Sequence, residues 1–348
     1  MKKILNILCL RIYGFFSLNF FKLIKFYDRK SKNIIWIFPT CDIKSVYPFL
    51  MKSNTMLHDV ALINSVIENG KKFRLVFGKS PKFLAGDIVY YNMSELFKKK
   101  EFSDYTESII ETISDLESQG CIMYPKLEEV RFWENKEWMH LEFERLNINH
   151  PRSIIVQKYD TTNNFKFPFL IKEVHSCGSK GVHKIDNEFD LQEFWNNKND
   201  SLPVIYQKLL NMRKDIRVIL VDGKIVLHYW RLNKSKEWKP TSTAGGSHVD
   251  FVSFPEKWRD LIIGEFNKLN MSTGAFDIAW QNDDLDTEPY FLEVSPFYMP
   301  NPEATGKYKN LPYKEFKLSF WGKDAYFKRY VQIIHKLKKK TIKFYLNH

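Results

Sequence analysis

Two acidic residues in the last third of the chain carry the clearest chemistry. Asp277 and Glu293 stand in GAFDIAWQNDDLDTEPYFLEVSP, each flanked by apolar neighbours (Phe276 and Ile278; Leu292 and Val294), with a polar turn over 281–288 between them. Such flanks predict two buried antiparallel strands with the acids brought together. Facing carboxylates repel unless a cation lies between them, and Mg²⁺ held by one or two carboxylates plus nucleotide phosphates is the usual solution. The other reading is a pair of exposed acids on a hairpin.

A second block, FPFLIKEVHSCGSKGVHK, ends a strand on Lys172 and follows it with Gly178, Ser179 and Gly181 before a new strand begins at Val182. Glycines let backbone N–H groups close over phosphate oxygens, and the lysine adds a point charge. By itself the block reads first as a structural turn beside a surface lysine, a commoner arrangement than a phosphate clamp. A third block places Asp215 and Arg217 on a strand, turns at Asp222-Gly223, and returns through Arg231 to the small-residue run TSTAGG, residues 241–246. Buried beside a strand, Asp215 and Arg217 need partners. A mutual pair at the surface is the alternative.

These blocks need a scaffold, and the preceding sequence supplies alternating elements. Strands are predicted over 33–39, 73–78, 87–91 and 121–124, and helices over 59–70 and 108–119. That alternation predicts a small α/β domain with a parallel sheet. The glycine patterns of the P-loop and of dinucleotide-binding folds are absent from it. A helix over 136–146, the turn to Pro151 and a strand over 153–156 put a domain boundary near 130–150.

In order, the three blocks resemble the ATP-grasp family, over roughly residues 120–305, and within it the glutamate-ligase-like branch that joins amines to carboxylates. The resemblance implies an α/β (α+β) ATP-grasp fold, with ATP and Mg²⁺ (or Mn²⁺) as cofactors. It implies four regions: a basic amphipathic segment 1–32, an α/β domain 33–125, nucleotide-binding and catalytic domains 126–322, and a basic C-terminal helix 323–348. Lys136 resembles the lysine that enters the nucleotide cleft from the linker, and Lys172 the second ATP lysine. Cys177, Gly178, Ser179 and Gly181 resemble the mobile loop over the phosphates. Gln207, Lys208 and Leu209, in YQKLL, resemble the adenine-reading hinge, and Asp215 the acid beyond it. Lys239 falls where the family places a basic residue near the transferred phosphate, and Arg217 or Arg231 would hold the acceptor carboxylate or the phosphoryl group. Asp277 and Glu293 match the metal acids, and Ser295 stands where the family usually has Asn. Lys208 replaces the usual hinge Glu, so adenine would rely on backbone groups or Gln207. The implied reaction is amide formation through an acyl phosphate. A catalytically inactive binding module and a small-molecule kinase of the same fold are the rival readings.

Composition bounds these readings. Apolar residues make up 44% of the 348, enough for a sizeable core. The four cysteines (Cys9, Cys41, Cys121, Cys177) are scattered and form no C-x-x-C, which predicts a reducing, cytoplasmic setting. The net charge of +12 sits at the ends: residues 1–32 and 323–343 each net +7, and the remainder nets −2. A near-neutral body argues against a nucleic-acid groove, which would spread its charge across the protein. Arg11 splits the first apolar run, leaving ten uncharged residues after it, against about 20 for a spanning helix. Both ends read either as interfacial helices on an anionic membrane or as helices packed on the body with their charges in solvent. A membrane-facing enzyme would suit a surface-polysaccharide precursor, with a uronic or amino-sugar acid joined to an amine.

Overall fold

The structure is a computed structural model. It describes the chain apart from residues 1–4, 6–7, 10–11, 14–15, 29–34, 39–54, 76–82, 93–104, 160–164 and positions 177, 180, 236, 244, 310, 320 and 348. The chain divides into two compact units, one formed by residues 1–130 with 297–348, the other by 131–296. The division at 130/131 falls in the zone where the sequence changes character. Residues 297–322, expected with the nucleotide-binding part, group instead with the first unit.

The first unit carries a four-stranded parallel sheet in the order β2-β1-β3-β4, built from β1 (Ile35–Phe38), β2 (Phe73–Leu75), β3 (Ile88–Tyr91) and β4 (Ile122–Tyr124). Helix α1 (Phe20–Phe26) precedes the sheet, α2 (Thr55–Glu68) links β1 to β2, and α3 (Tyr105–Ser118) links β3 to β4. The short α4 (Leu127–Val130) closes this stretch. The alternation read from the sequence therefore produces the parallel sheet it predicts, because parallel neighbours need a crossover between them.

The chain's last helix completes this unit. It is α9 (Tyr326–Tyr345), and it buries Tyr330, Ile334, Leu337, Thr341, Ile342 and Tyr345. Tyr330 and Ile334 pack with Leu57 and Ala61 of α2. Ile342 and Tyr345 join the core of Leu62, Val66, Phe73 and Tyr90. Tyr345 stacks on Tyr124 at 4.3 Å between ring centroids. Spacing at 330, 334, 337, 341 and 345 gives a helix one apolar stripe. That stripe is spent on the core, which favours the packed reading for the C-terminal end.

The second unit holds two antiparallel sheets. One has the order β5-β8-β6-β7, from β5 (Ser153–Val156), β6 (Phe169–Glu173), β7 (Val182–Ile185) and β8 (Val204–Lys208). The other has the order β11-β10-β9-β12-β13, from β9 (Lys214–Val221), β10 (Lys224–Leu232), β11 (His248–Asp250), β12 (Thr273–Ala279) and β13 (Tyr290–Ser295). Helices α5 (Lys136–Arg145), α6 (Glu188–Asn197) and α7 (Arg259–Lys268) belong to this unit, and the short α8 (Tyr313–Phe316) to the first. The β9–β10 turn places Asp222 and Gly223 at φ 55° and 62°. Both central residues are left-handed there, as a two-residue hairpin turn requires, and Asp-Gly meets that need.

Alternation fixes what each face of the larger sheet does. Ile216, Val218 and Leu220 of β9, with Phe276 and Ile278 of β12, enter a core shared with Ile262 and Phe266 of α7. The odd-numbered residues of those strands, Asp215, Arg217 and Asp277, therefore lie on the opposite face.

Candidate functional site

Cross-strand register assembles the charged face. Arg217 lies opposite Tyr229 of β10 on one side and Asp277 of β12 on the other, and Asp277 lies opposite Glu293 of β13. One transverse row thus runs Tyr229–Arg217–Asp277–Glu293. Two residues along, Asp215 faces Arg231. The two acids do come from neighbouring antiparallel strands, as the flanking apolar residues predict.

The row is tied together by ion pairs. Arg217 grips Asp277 with two bonds, Nε to Oδ1 and Nη2 to Oδ2, both at 2.7 Å. Arg231 Nη2 reaches the same Oδ2 at 2.8 Å, and Arg231 Nε donates to Asp215 Oδ1 at 3.0 Å. Asp215 and Arg217 are therefore not each other's partners: Asp215 pairs with Arg231, at 1% exposure, and Arg217 with Asp277. Burial alone would raise the Asp277 carboxyl, but the two guanidiniums outweigh it and hold it at about 2. Burial pushes the Asp215 carboxyl up, against the pull of Arg231. Two carboxylates balance two guanidiniums, which is what makes so dry a cluster tolerable.

Glu293 is different. It is half-buried, and among the described residues it makes no hydrogen bond or ion pair. Its charge is felt by Lys172 and Arg217. Lys172, on β6 and 9% exposed, has its ammonium pushed down to about 8 by burial, with Glu293 and Asp277 opposing the fall and Lys136 adding to it. Lys136 and Lys172 against Glu293 leave an excess of positive charge beside the balanced cluster, suited to a polyanion.

Lys136 is placed by the start of α5. Asn135 caps the helix, its side chain accepting from Trp138 N–H at 3.1 Å, and the Lys136 N–H donates to the Val174 carbonyl at 3.1 Å. The Lys136 ammonium, 5% exposed, donates to the Ser176 carbonyl and to Ser176 Oγ, the latter at 3.2 Å. The loop after β6 is thus pinned to this lysine. Gly178 and Ser179 adopt φ 64° and 63°. A Cβ on Gly181 would lie 2.6 Å from Ser176 Oγ and 2.8 Å from Glu173 Cβ, so only glycine fits. Ser242, in the small-residue run, sets its hydroxyl 3.5 Å from the Gly178 carbonyl. Cys177 lies outside the described residues.

The hinge residues sit at the end of β8. Lys208 pairs with Phe169, three residues from the Lys172–Ile205 pair, about 10 Å along the strand. The Gln207 side chain is 2% exposed and donates to Ser153 Oγ at 3.0 Å, while the Lys208 N–H is taken by the Arg152 carbonyl. Leu209 follows the strand, half-buried. Lys239 is exposed, and its carbonyl accepts from Asn233 Nδ2 at 3.0 Å. Its side chain makes no ion pair among the described residues. Ser295 lies two residues beyond Glu293, opposite Ala275.

One residue at the site escapes sequence reasoning. His140, one helical turn after Lys136, is 3% exposed, and neither ring nitrogen has a hydrogen-bond partner among the described residues. Burial lowers its pKa well below the ordinary value, and Lys172, His150 and Lys136 lower it further. The imidazole is neutral beside the lysines. Its i+4 spacing from Lys136 is the only signal in the sequence.

As a cation site the donor set is hard and oxygen-rich: two carboxylates and a hydroxyl. No cluster of three or more acidic, histidine or cysteine ligands occurs among the described residues. Two acids with phosphate oxygens completing the shell suit Mg²⁺, which is bound through few protein carboxylates. The unpaired Glu293 fits this role, with Asp277 shared between any cation and its two arginines.

No family profile matches the chain, and no curated protein does. Solved structures do. A RimK-domain ATP-grasp protein from Sphaerobacter thermophilus superposes with a TM-score of 0.53 at 10% identity, covering 86% of this chain and 99% of that one. The chain has the ATP-grasp fold. D-alanine–D-alanine ligase from Bacillus anthracis, solved with ATP, matches at a TM-score of 0.53 and 12% identity, over 91% of this chain and 100% of that one. The ATP-grasp ligase PsnB, solved with Mg, ADP and a phosphomimetic variant of its minimal precursor, matches at 0.52 and 12%, over 90% and 99%. The fold implied by the sequence resemblance is therefore the fold observed, and its coverage extends well beyond the three ATP-grasp blocks.

Proposed function

We propose that the protein is an ATP-dependent carboxylate–amine ligase. The observation that carries the reading is the row Arg217–Asp277–Glu293 with Lys172 in its field. The ATP, ADP and Mg found with structural neighbours support ATP and Mg²⁺ as the ligands here. A substrate carboxylate oxygen attacks the γ-phosphorus of ATP, ADP leaves, and an acyl phosphate forms. A neutral amine attacks the acyl carbon, the C–N bond forms, the acyl–oxygen bond breaks as phosphate departs, and the nitrogen's proton goes to phosphate or solvent. The protein's task is positioning and charge neutralisation, with no side-chain nucleophile.

Lys136 and Lys172 meet phosphate oxygens, with Gly178, Ser179 and Gly181 folding over them. Arg217, the more accessible of the two arginines, meets the transferring phosphoryl group, while Arg231 positions Asp277 and Asp215 from within. Glu293 and Asp277, with Ser295 beside them, would hold Mg²⁺, which when bound neutralises the phosphates. Leu209 and neighbouring backbone receive the adenine, since the Gln207 amide and the Lys208 N–H are already engaged. Lys239, exposed, would approach only once substrate is in place.

The substrate in this reading is a uronic or amino-sugar acid of a surface-polysaccharide precursor, joined to an amine or amino acid at the cytoplasmic face of a membrane. The basic ends support it. Calorimetry of MgATP binding tests the ligand, and phosphate release with and without an amine acceptor tests the reaction. No MgATP binding would leave an inactive module, and amine-independent, stable phosphorylation of the substrate would make it a kinase.

A further inference from the structure

The two ends of the chain differ in what they do with their apolar side chains. Helix α9 buries its apolar stripe in the core. The N-terminal segment does not. One side of it is anchored: Tyr13 packs edge-on against Phe327 at 5.4 Å, Leu18, Leu23 and Phe26 pack on the core, and Asn19 N–H donates to Asn64 Oδ1 at 3.1 Å. The other side exposes Leu8, Ile12, Phe16, Phe20, Phe21 and Ile24, with Phe16, Phe21 and Ile24 at 74%, 90% and 76%. Phe20, Phe21 and Ile24 share one face of α1, and Leu8, Ile12 and Phe16 precede the break in the helix at 17–19.

We infer that this stripe is a docking surface for an anionic lipid bilayer, lying in the headgroup boundary with its apolar side chains inserted. Large exposed aromatics in a row are rare on monomeric surfaces and mark an interaction site. Charge selects the occupant. Lys22 and Lys25, both exposed, flank the stripe, and Asp28 is the sole acid among the first 32 residues. A second copy would bring another segment of net +7 against the first, whereas anionic headgroups attract it. No helix among the described residues is long and apolar enough to cross a membrane, and the exposed apolar and basic side chains of α1 suit the headgroup boundary. Exposed Lys336, Lys340 and Lys343 of α9 add attraction but no insertion. The inference rests on the membrane-facing part of the proposed function and on none of its chemistry.

The test is co-sedimentation of the full chain with vesicles of phosphatidylcholine alone and of phosphatidylcholine with 30% phosphatidylglycerol, at low and physiological salt. Binding to the anionic vesicles, weakening with salt, is expected. Phe16→Ser/Phe21→Ser/Ile24→Ser should lower the partition coefficient by at least about 100-fold. Lys22→Glu/Lys25→Glu should lower it by about 30-fold or more. Both variants should keep the wild-type melting temperature and MgATP binding, since none of these residues lies in the nucleotide-binding unit. Wild-type protein that ignores anionic vesicles at low salt overturns the inference, as does a triple variant that binds them equally well. A wild-type dimer that the triple variant converts to a monomer, without vesicle binding, would make the stripe a self-association face instead. Vesicle binding without MgATP binding would sink the ligase reading alone.

Discussion

Asp215 is a residue whose loss should be felt in stability before it is felt in chemistry. Its carboxylate is 1% exposed and its partner, Arg231, is buried with it. Asp215→Ala leaves a guanidinium dry and half-neutralised, a change that costs about 3–5 kcal/mol, so the melting temperature should fall by many degrees. Glu293→Gln is the contrasting case. It removes a charge that makes no hydrogen bond or ion pair among the described residues and acts on Lys172 and Arg217 only through space, so the melt should change little, while Mg²⁺-dependent ADP release disappears. A Glu293→Gln enzyme with full turnover would end the ligase assignment. Asp277, Asp215 and Lys172 each make the protein respond to pH. Asp277, held at about 2 against an ordinary 3.8, stabilises the fold fully above about pH 4 and loses that contribution as pH falls towards 2. The loss is about 2 kcal/mol, read as a steeper acid limb of the denaturation profile than Asp277→Asn shows. Asp215, raised by burial, takes its proton earlier and acts in the opposite sense, so the comparison with Asp277→Asn is needed. Lys172 loses its proton near pH 8 in the free protein. ATP favours the charged form, so above pH 8 binding should take up a proton and weaken by up to about tenfold per pH unit. Calorimetry in buffers of different ionisation enthalpy reads that proton directly.

At the scale of elements, the phosphate-side loop is the part most sensitive to a single methyl group. Gly181→Ala forces a Cβ into Ser176 and Glu173, and Ser176 is what the Lys136 ammonium holds. Displacing that loop by about 1 Å should cost roughly 100-fold in turnover, read from steady-state kinetics of the variant. The strands themselves were well marked in the sequence. The apolar neighbours Phe276, Ile278, Leu292 and Val294 mark both acid-bearing strands as buried, a signal that needs no knowledge of the fold. The pairing was not legible. Arg217 meets Asp277 because β9 lies between β10 and β12, and strand order is a long-range property. His140 was invisible for a related reason: a histidine in a polar-looking helix carries no mark of burial until α5 is packed.

Across the whole molecule, the two ends are not equivalent. Deleting α9 would strip Tyr330, Ile334, Leu337, Ile342 and Tyr345 from the first unit's core. At about 2 kcal/mol each, that is comparable to the entire stability of a domain, so a chain ending before Tyr326 should aggregate or fail to melt cooperatively. Calorimetric scanning of the truncated chain checks this, and a cooperative wild-type transition would contradict it.

The amino-acid sequence by itself determined the local elements, the two faces of each strand, the glycine positions and the uneven placement of charge, because each follows from neighbouring residues and their periodicity. Only the tertiary structure decided which carboxylate meets which arginine, which lysine lies dry beside Glu293, and which basic end keeps its apolar side chains for something else. Those depend on strand order, on register and on what packs over a side chain, and distances between residues far apart in the chain are set by the fold as a whole.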